Sequence, residues 1–101
     1  MLFRSTVIAK FAANQSVEAL VNDIPLSAFK IFPVLAKQIL LAEAKGADLA
    51  IKNGKKKDAK AIISALITEI QIGVKDFGVN SSTPLSKSDI LKALAQILQG
   101  L

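Results

Sequence analysis

Between Lys57 and Phe77 apolar residues recur every three or four positions, and this spacing constrains the fold more than any other feature of the chain. Ala59, Ile63, Leu66, Ile70, Val74 and Phe77, with Ile62 and Ile67, fall within a sector of about 140° when each residue advances by about 100°. The pattern predicts a principal core helix that begins near Lys57 or Asp58 and runs to Phe77, with Gly78 as its stop. Over Thr68 to Lys75, Ile70, Ile72 and Val74 also alternate as in a strand. Helix is the better reading there, because no second strand is on offer to pair with it.

The segment before it has the same period. From Pro33 to Asn53, Leu35, Ile39, Ala42, Gly46, Leu49 and Ala50 share one face, while Lys37, Lys45, Asp48 and Lys52 gather on another. A second apolar stripe, Ala36, Leu40, Ala47 and Ile51, lies well off the first. A helix with a single buried side does not need it, so this helix either lies between two neighbours or offers its second stripe to another chain. Gly54 is placed as a left-handed C-terminal cap, and Lys52 and Lys55 stand where the helix dipole favours cations.

Three shorter segments complete the chain. Gln15 to Asn22 reads as a short helix carrying Val17, Leu20 and Val21, and Asp23-Ile24-Pro25 as a break before a new start that Pro33 interrupts. After the polar linker Asn80 to Thr83, a C-terminal helix places Ile90, Leu91, Leu94, Ile97 and Leu98 on one face. Two starts compete for it: Thr83 with Pro84 at the first helical position, or Ser86 with Asp89 as a capping box. The expected fold is all-α, a single domain over residues 1–101. Four or five helices form a compact bundle or orthogonal array around the hairpin of residues 34–77.

Composition removes most chemistry. The 101 residues include no Cys, His, Tyr or Trp, which excludes disulfide scaffolds, thiol nucleophiles, imidazole catalysis and zinc sites built on Cys or His. Carboxylates remain, but Glu69 and Asp76 are seven residues apart, about 10 Å along a helix, too far for a cooperating acid-base pair. Asp76-Phe77-Gly78 lacks the glycine-rich loop and catalytic loop that give that triplet meaning in kinases, and Lys56 follows Gly54-Lys55 where a phosphate loop needs Ser or Thr. No enzyme activity, cofactor or metal is expected.

Interaction features are stronger. Lys45, Lys52, Lys55, Lys56, Lys57 and Lys60 crowd into sixteen residues at the hairpin tip, in a chain of net charge +5. Lys52, Lys55, Lys56, Lys57 and Lys60 are the candidate anion-binding residues, and a charged tip also keeps an oily chain in solution. Without Arg or aromatic residues among them, nucleic-acid binding there would be weak, salt-sensitive and indifferent to sequence. Residues Met1 to Ala13 contain Arg4 and Lys10, hydroxyl residues and no acid, a composition similar to a mitochondrial transit peptide. The favoured reading of these residues is nevertheless an ordered arm that docks through Phe3, Val7 and Phe11, with the targeting-like segment as the alternative.

No stretch reaches the roughly 18 apolar residues that a membrane span needs. Yet 51% of the residues are hydrophobic, and the mean hydropathy is +0.45. A domain this small buries only about 60–65% of its unfolded surface, so part of that oil should meet a partner. The expected function is therefore a helical packing protein, a subunit of a homo-oligomer or of a larger assembly of virion or organellar type. Leu40, Ala47, Ile51, Ile72, Phe3, Val7 and Phe11 are the candidate interface. The alternative is a nucleic-acid or anionic-surface binding module that uses the lysine tip. The expected location is the cytoplasm or the interior of an assembly, with the mitochondrion as the alternative.

Overall fold

The computed structural model describes residues 15–101, and these form an all-α fold. Four helices follow one another: α1 (Val17–Asn22), α2 (Pro33–Lys52), α3 (Lys56–Gly73) and α4 (Lys87–Gly100), with a 3-10 turn at Leu26–Ala28. Helix α2 lies between α1 and α3, and α4 packs on α3 and α1. Leu20, Ile24, Ile63, Leu66, Ile70, Ile90 and Leu94 are fully buried where the four helices meet.

The central hairpin turns where Gly54 allows it. Gly54 has φ 73°, its N–H donates to the Ile51 carbonyl at 3.1 Å, and the Lys55 N–H donates to the Ala50 carbonyl at 2.8 Å. These two bonds satisfy the last carbonyls of α2 in the geometry that a left-handed glycine closes.

Helix α3 ends at Gly73, earlier than the expected Phe77, so Gly78 is not its stop. Val74 is extended and pairs with Phe29 in an isolated antiparallel bridge. The Lys30 N–H donates to the Gly73 carbonyl at 3.1 Å, and the Lys75 N–H donates to the Ala28 carbonyl at 2.7 Å. A single extended residue is enough of a partner, and the strand-like alternation over residues 68–75 takes effect only at its end. Lys87 then closes the helix terminus. Its ammonium donates to the Val74 carbonyl at 2.6 Å and to that of Gln71 at 3.4 Å, with the side chain only 13% exposed.

Of the two competing starts for α4, Ser86 is used. The Asp89 N–H donates to Ser86 Oγ, and the Ser86 N–H donates to Asp89 Oδ2, each at 3.1 Å. Thr83 is buried instead, its backbone paired with Asn80 in a tight turn.

Helix α1 has six residues, too short to be stable alone. Helix α2 holds it at both ends. Asp48 Oδ1 and Oδ2 accept from the Val17 and Glu18 N–H groups at 2.9 and 3.0 Å, while Ser16 Oγ accepts from the Ala19 N–H at 3.0 Å. At the other end the Lys37 ammonium donates to the Asn22 carbonyl at 2.9 Å. A negative group thus meets the positive end of the helix dipole and a positive group its negative end. Burial raises the Asp23 carboxyl above its ordinary pKa, an effect that the Lys37 ammonium opposes.

Candidate interaction surface

The clamped position of α1 decides which side of α2 is core. Leu40, Ala44 and Ala47 are buried in one cluster with Val17, Leu20 and Val21, and Ile51 packs half-buried against it. Leu40, Ala47 and Ile51 were expected to face a partner; they belong to the chain's own core instead. The reason is tertiary. The small side chains of Ala44 and Ala47 admit α1, and Asp48 and Lys37 fix it there.

Most of the other stripe is correspondingly outside, although its Ala50 is buried and its Gly46 half-buried. Leu35, Ile39 and Leu49 are 50–59% exposed, and Ala42 is exposed between them. Ile31, Phe32 and Ile72 extend this apolar surface at 69–74% exposure. Ile72, of the described candidate interface residues, is thus at the surface as expected. Phe3, Val7 and Phe11 lie outside the described residues.

Between the start of α2 and the end of α3 the surface dips into a groove of about 340 Å³. Ile31, Ile39 and Ile72 form its walls, Leu40 and Val74 its floor, and Glu69 part of its rim. The Phe29–Val74 bridge sets its depth, because it draws the segment before α2 against the end of α3.

Beside the groove Phe32 adopts φ 46° and ψ 64°, a left-handed conformation costing an L-residue about 1–2 kcal/mol. Two neighbours compel it. Pro33 disfavours the right-handed region for its predecessor, and the Phe32 carbonyl accepts from the Ala36 N–H at 2.8 Å to start α2. The aromatic ring is left in water by a backbone that spends energy to hold it there.

Along the α2–α3 seam, Glu43 is pushed up to about 7, chiefly by burial, then by a hydrogen bond with Glu69 and by that residue's like charge. Near neutral pH Glu43 therefore carries less negative charge than its sequence suggests. Among the described residues no cluster of three or more metal-ligating side chains occurs.

The lysine tip is at the far end of the hairpin, since α2 at 20 residues spans about 30 Å. Lys52, Lys55, Lys56, Lys57 and Lys60 are all exposed, and none forms an ion pair among the described residues. They stand together as expected. Sequence reasoning missed the outer apolar face, Phe32's conformation and the structural work of Asp48, Lys37 and Lys87. No helix of the described chain is long and apolar enough to cross a membrane. No protein-family model, curated protein or solved structure matches the chain.

Proposed function

We propose that this chain is a non-enzymatic packing protein, which joins a homo-oligomer or a larger assembly through the outer apolar face of α2 and the groove beside it. The observation that carries the reading is the exposure of Ile31, Ile39 and Ile72 around one groove, with Phe32 and Leu35 exposed beside them along the chain. Isolated exposed apolar residues are ordinary, but a contiguous patch around a groove favours burial against a partner at about 25 cal/mol per Å².

Two measurements test it. The apolar face should bind an environment-sensitive dye such as anilinonaphthalene sulfonate or be covered in an oligomer. Light scattering from low salt to about 1 M salt should show association that salt does not weaken, because apolar contacts are not screened. Ile39→Glu, on a half-exposed side chain, should remove dye binding or association while leaving the helical content unchanged. A chain that neither associates nor binds the dye is not a packing protein of this kind.

The exposed tip lysines favour a second reading, contact with phosphates or another anionic surface. Replacing Lys55, Lys56 and Lys57 with Gln should then abolish retention on heparin. Unchanged retention rejects it.

A further inference from the structure

Resting on the packing-protein reading, we infer that the partner of the outer face is a second copy of this chain, paired antiparallel along α2 about a two-fold axis between Ile39 and Ala42. The spacing of the exposed stripe is the starting point. Within α2, Leu35, Ile39, Ala42, Gly46 and Leu49 follow one another at intervals of three and four, the period of a helix that meets another helix along a seam, and Phe32 stands just before its start. The described chain leaves most of this seam open: its large members are 50–74% exposed and Ala42 is exposed as well, while Gly46 is half-buried at the edge toward Ile62 of α3.

The order of sizes along it selects the occupant. In an isologous pair, if one residue meets a second, the second must meet the first. With the two copies antiparallel and Ile39 opposite Ala42, Leu35 falls opposite Gly46 and Phe32 opposite Leu49. The two central layers each join a large side chain to a small one, which is how facing positions interdigitate without voids or overlap. The outer layers join two large apolar groups and close the ends. A parallel, in-register pair would instead oppose Gly46 to Gly46 and Ala42 to Ala42, and leave a gap through the middle of the seam.

The flanking charges allow the same arrangement. Glu43 comes to lie near Ala36 of the second copy and Lys45 near its Gln38, so no two like charges are forced together. The exposed parts of the large seam residues, with Ile31 and the α3 residue Ile72 beside it, offer at most roughly 700 Å² per copy, against the roughly 800 Å² per partner of a specific interface. Gly46 keeps the seam shallow, and it is a glycine that its own chain does not require. A Cβ there would stand 3.8 Å from Ile62 Cδ1, an ordinary contact, and the residue has no positive φ.

Light scattering on the full chain should give twice the monomer mass of 10.7 kDa. Ala42→Glu, at an exposed site, should return the monomer with unchanged helical content. Gly46→Ala separates pairing from folding, because it should raise the melting temperature of the monomer by removing a helix-interior glycine and weaken the dimer about tenfold by overfilling the socket for Leu35.

The chain has no cysteine, so one introduced thiol reports a distance. With a short bis-maleimide, Ala42→Cys should cross-link to its counterpart about 10 Å away, whereas Lys52→Cys, about 35 Å from its own, should react at least about tenfold less. Equal cross-linking at both positions overturns the antiparallel arrangement. An oligomer that survives Ala42→Glu overturns the pairing along this seam but leaves self-assembly through another surface. A monomer at every concentration overturns the pairing outright. If that monomer still binds the dye and loses it in Ile39→Glu, the packing-protein reading stands with a different partner; if it binds no dye, both fall.

Discussion

Helix α2 is apolar on two sides, and the two sides meet different ends. On the inner side Leu40, Ala44 and Ala47 are buried in the core that α1 completes. On the outer side Leu35, Ile39 and Leu49 stand in water. Greasiness does not separate them, for the outer stripe has the larger side chains. The difference lies along the edge of the inner stripe, where Lys37 and Asp48 can finish the hydrogen bonding of a neighbouring helix. A short helix with unsatisfied ends goes where both ends can be answered, and the apolar surface beneath it becomes core as a result.

The sharpest way to break this contrast is to shorten one side chain on each side. Leu40→Ala should lower the unfolding free energy by about 3 kcal/mol, since it removes a buried core side chain, whereas Ile39→Ala should cost the monomer less than about 1 kcal/mol. Equal losses in urea titrations would mean that the outer side is not free. Next in size is Asp48→Ala, which strips two N–H groups of their charged acceptor and should cost about 2 kcal/mol, with amide exchange accelerating in α1 before the other helices. Protection of α1 that stays unchanged would deny the clamp its role. Lys37→Met keeps most of the aliphatic stem and removes the ammonium from the Asn22 carbonyl, so a loss of about 0.5–1 kcal/mol is expected.

The smallest effect concerns Glu43, at the seam between α2 and α3. Its folded pKa of about 7 lies above the ordinary 4.5, so the folded state holds this proton more tightly than the unfolded state. Its contribution to stability therefore falls as pH rises from about 4.5 to about 7 and is level above that. Glu43→Gln should remove that slope and leave the protein more stable at pH 8, by less than about 1 kcal/mol after solvent screening, with no difference near pH 4. A gain that grows on acidification would contradict it.

What could be read in the sequence follows the range of the interactions involved. The extent of α2, the Gly54 cap and the Ser86–Asp89 box are set by bonds spanning a few residues, and a pattern of residue types displays them. The double stripe of α2 does mark a helix between two neighbours, but which stripe is covered depends on bonds from Asp48 to residues thirty and more positions away. The early end of α3 depends likewise on Phe29, whose extended backbone has no periodicity to announce it. In the candidate site, Ile72 was legible as an apolar residue outside its helix's main apolar sector, and the tip lysines as a cluster in sixteen residues. Phe32 was not, since a left-handed conformation follows from the junction it must make between Ile31 and Pro33 rather than from its own preference.

Lys37 and Asp48 also act as a ruler. They stand eleven positions apart on a rigid helix, about 16 Å, and α1 must fit its six residues between them. One inserted residue would lengthen α1 by about 1.5 Å and turn it by about 100°, so that one end leaves its partner and Val17, Leu20 and Val21 swing off the core. Point changes on the exposed side of α1 should be tolerated, whereas any insertion or deletion within it should not. The exposed stretch 78–82, gripped by no such pair of fixed charges, is where this fold can change length, and where a tag or a graft should be placed.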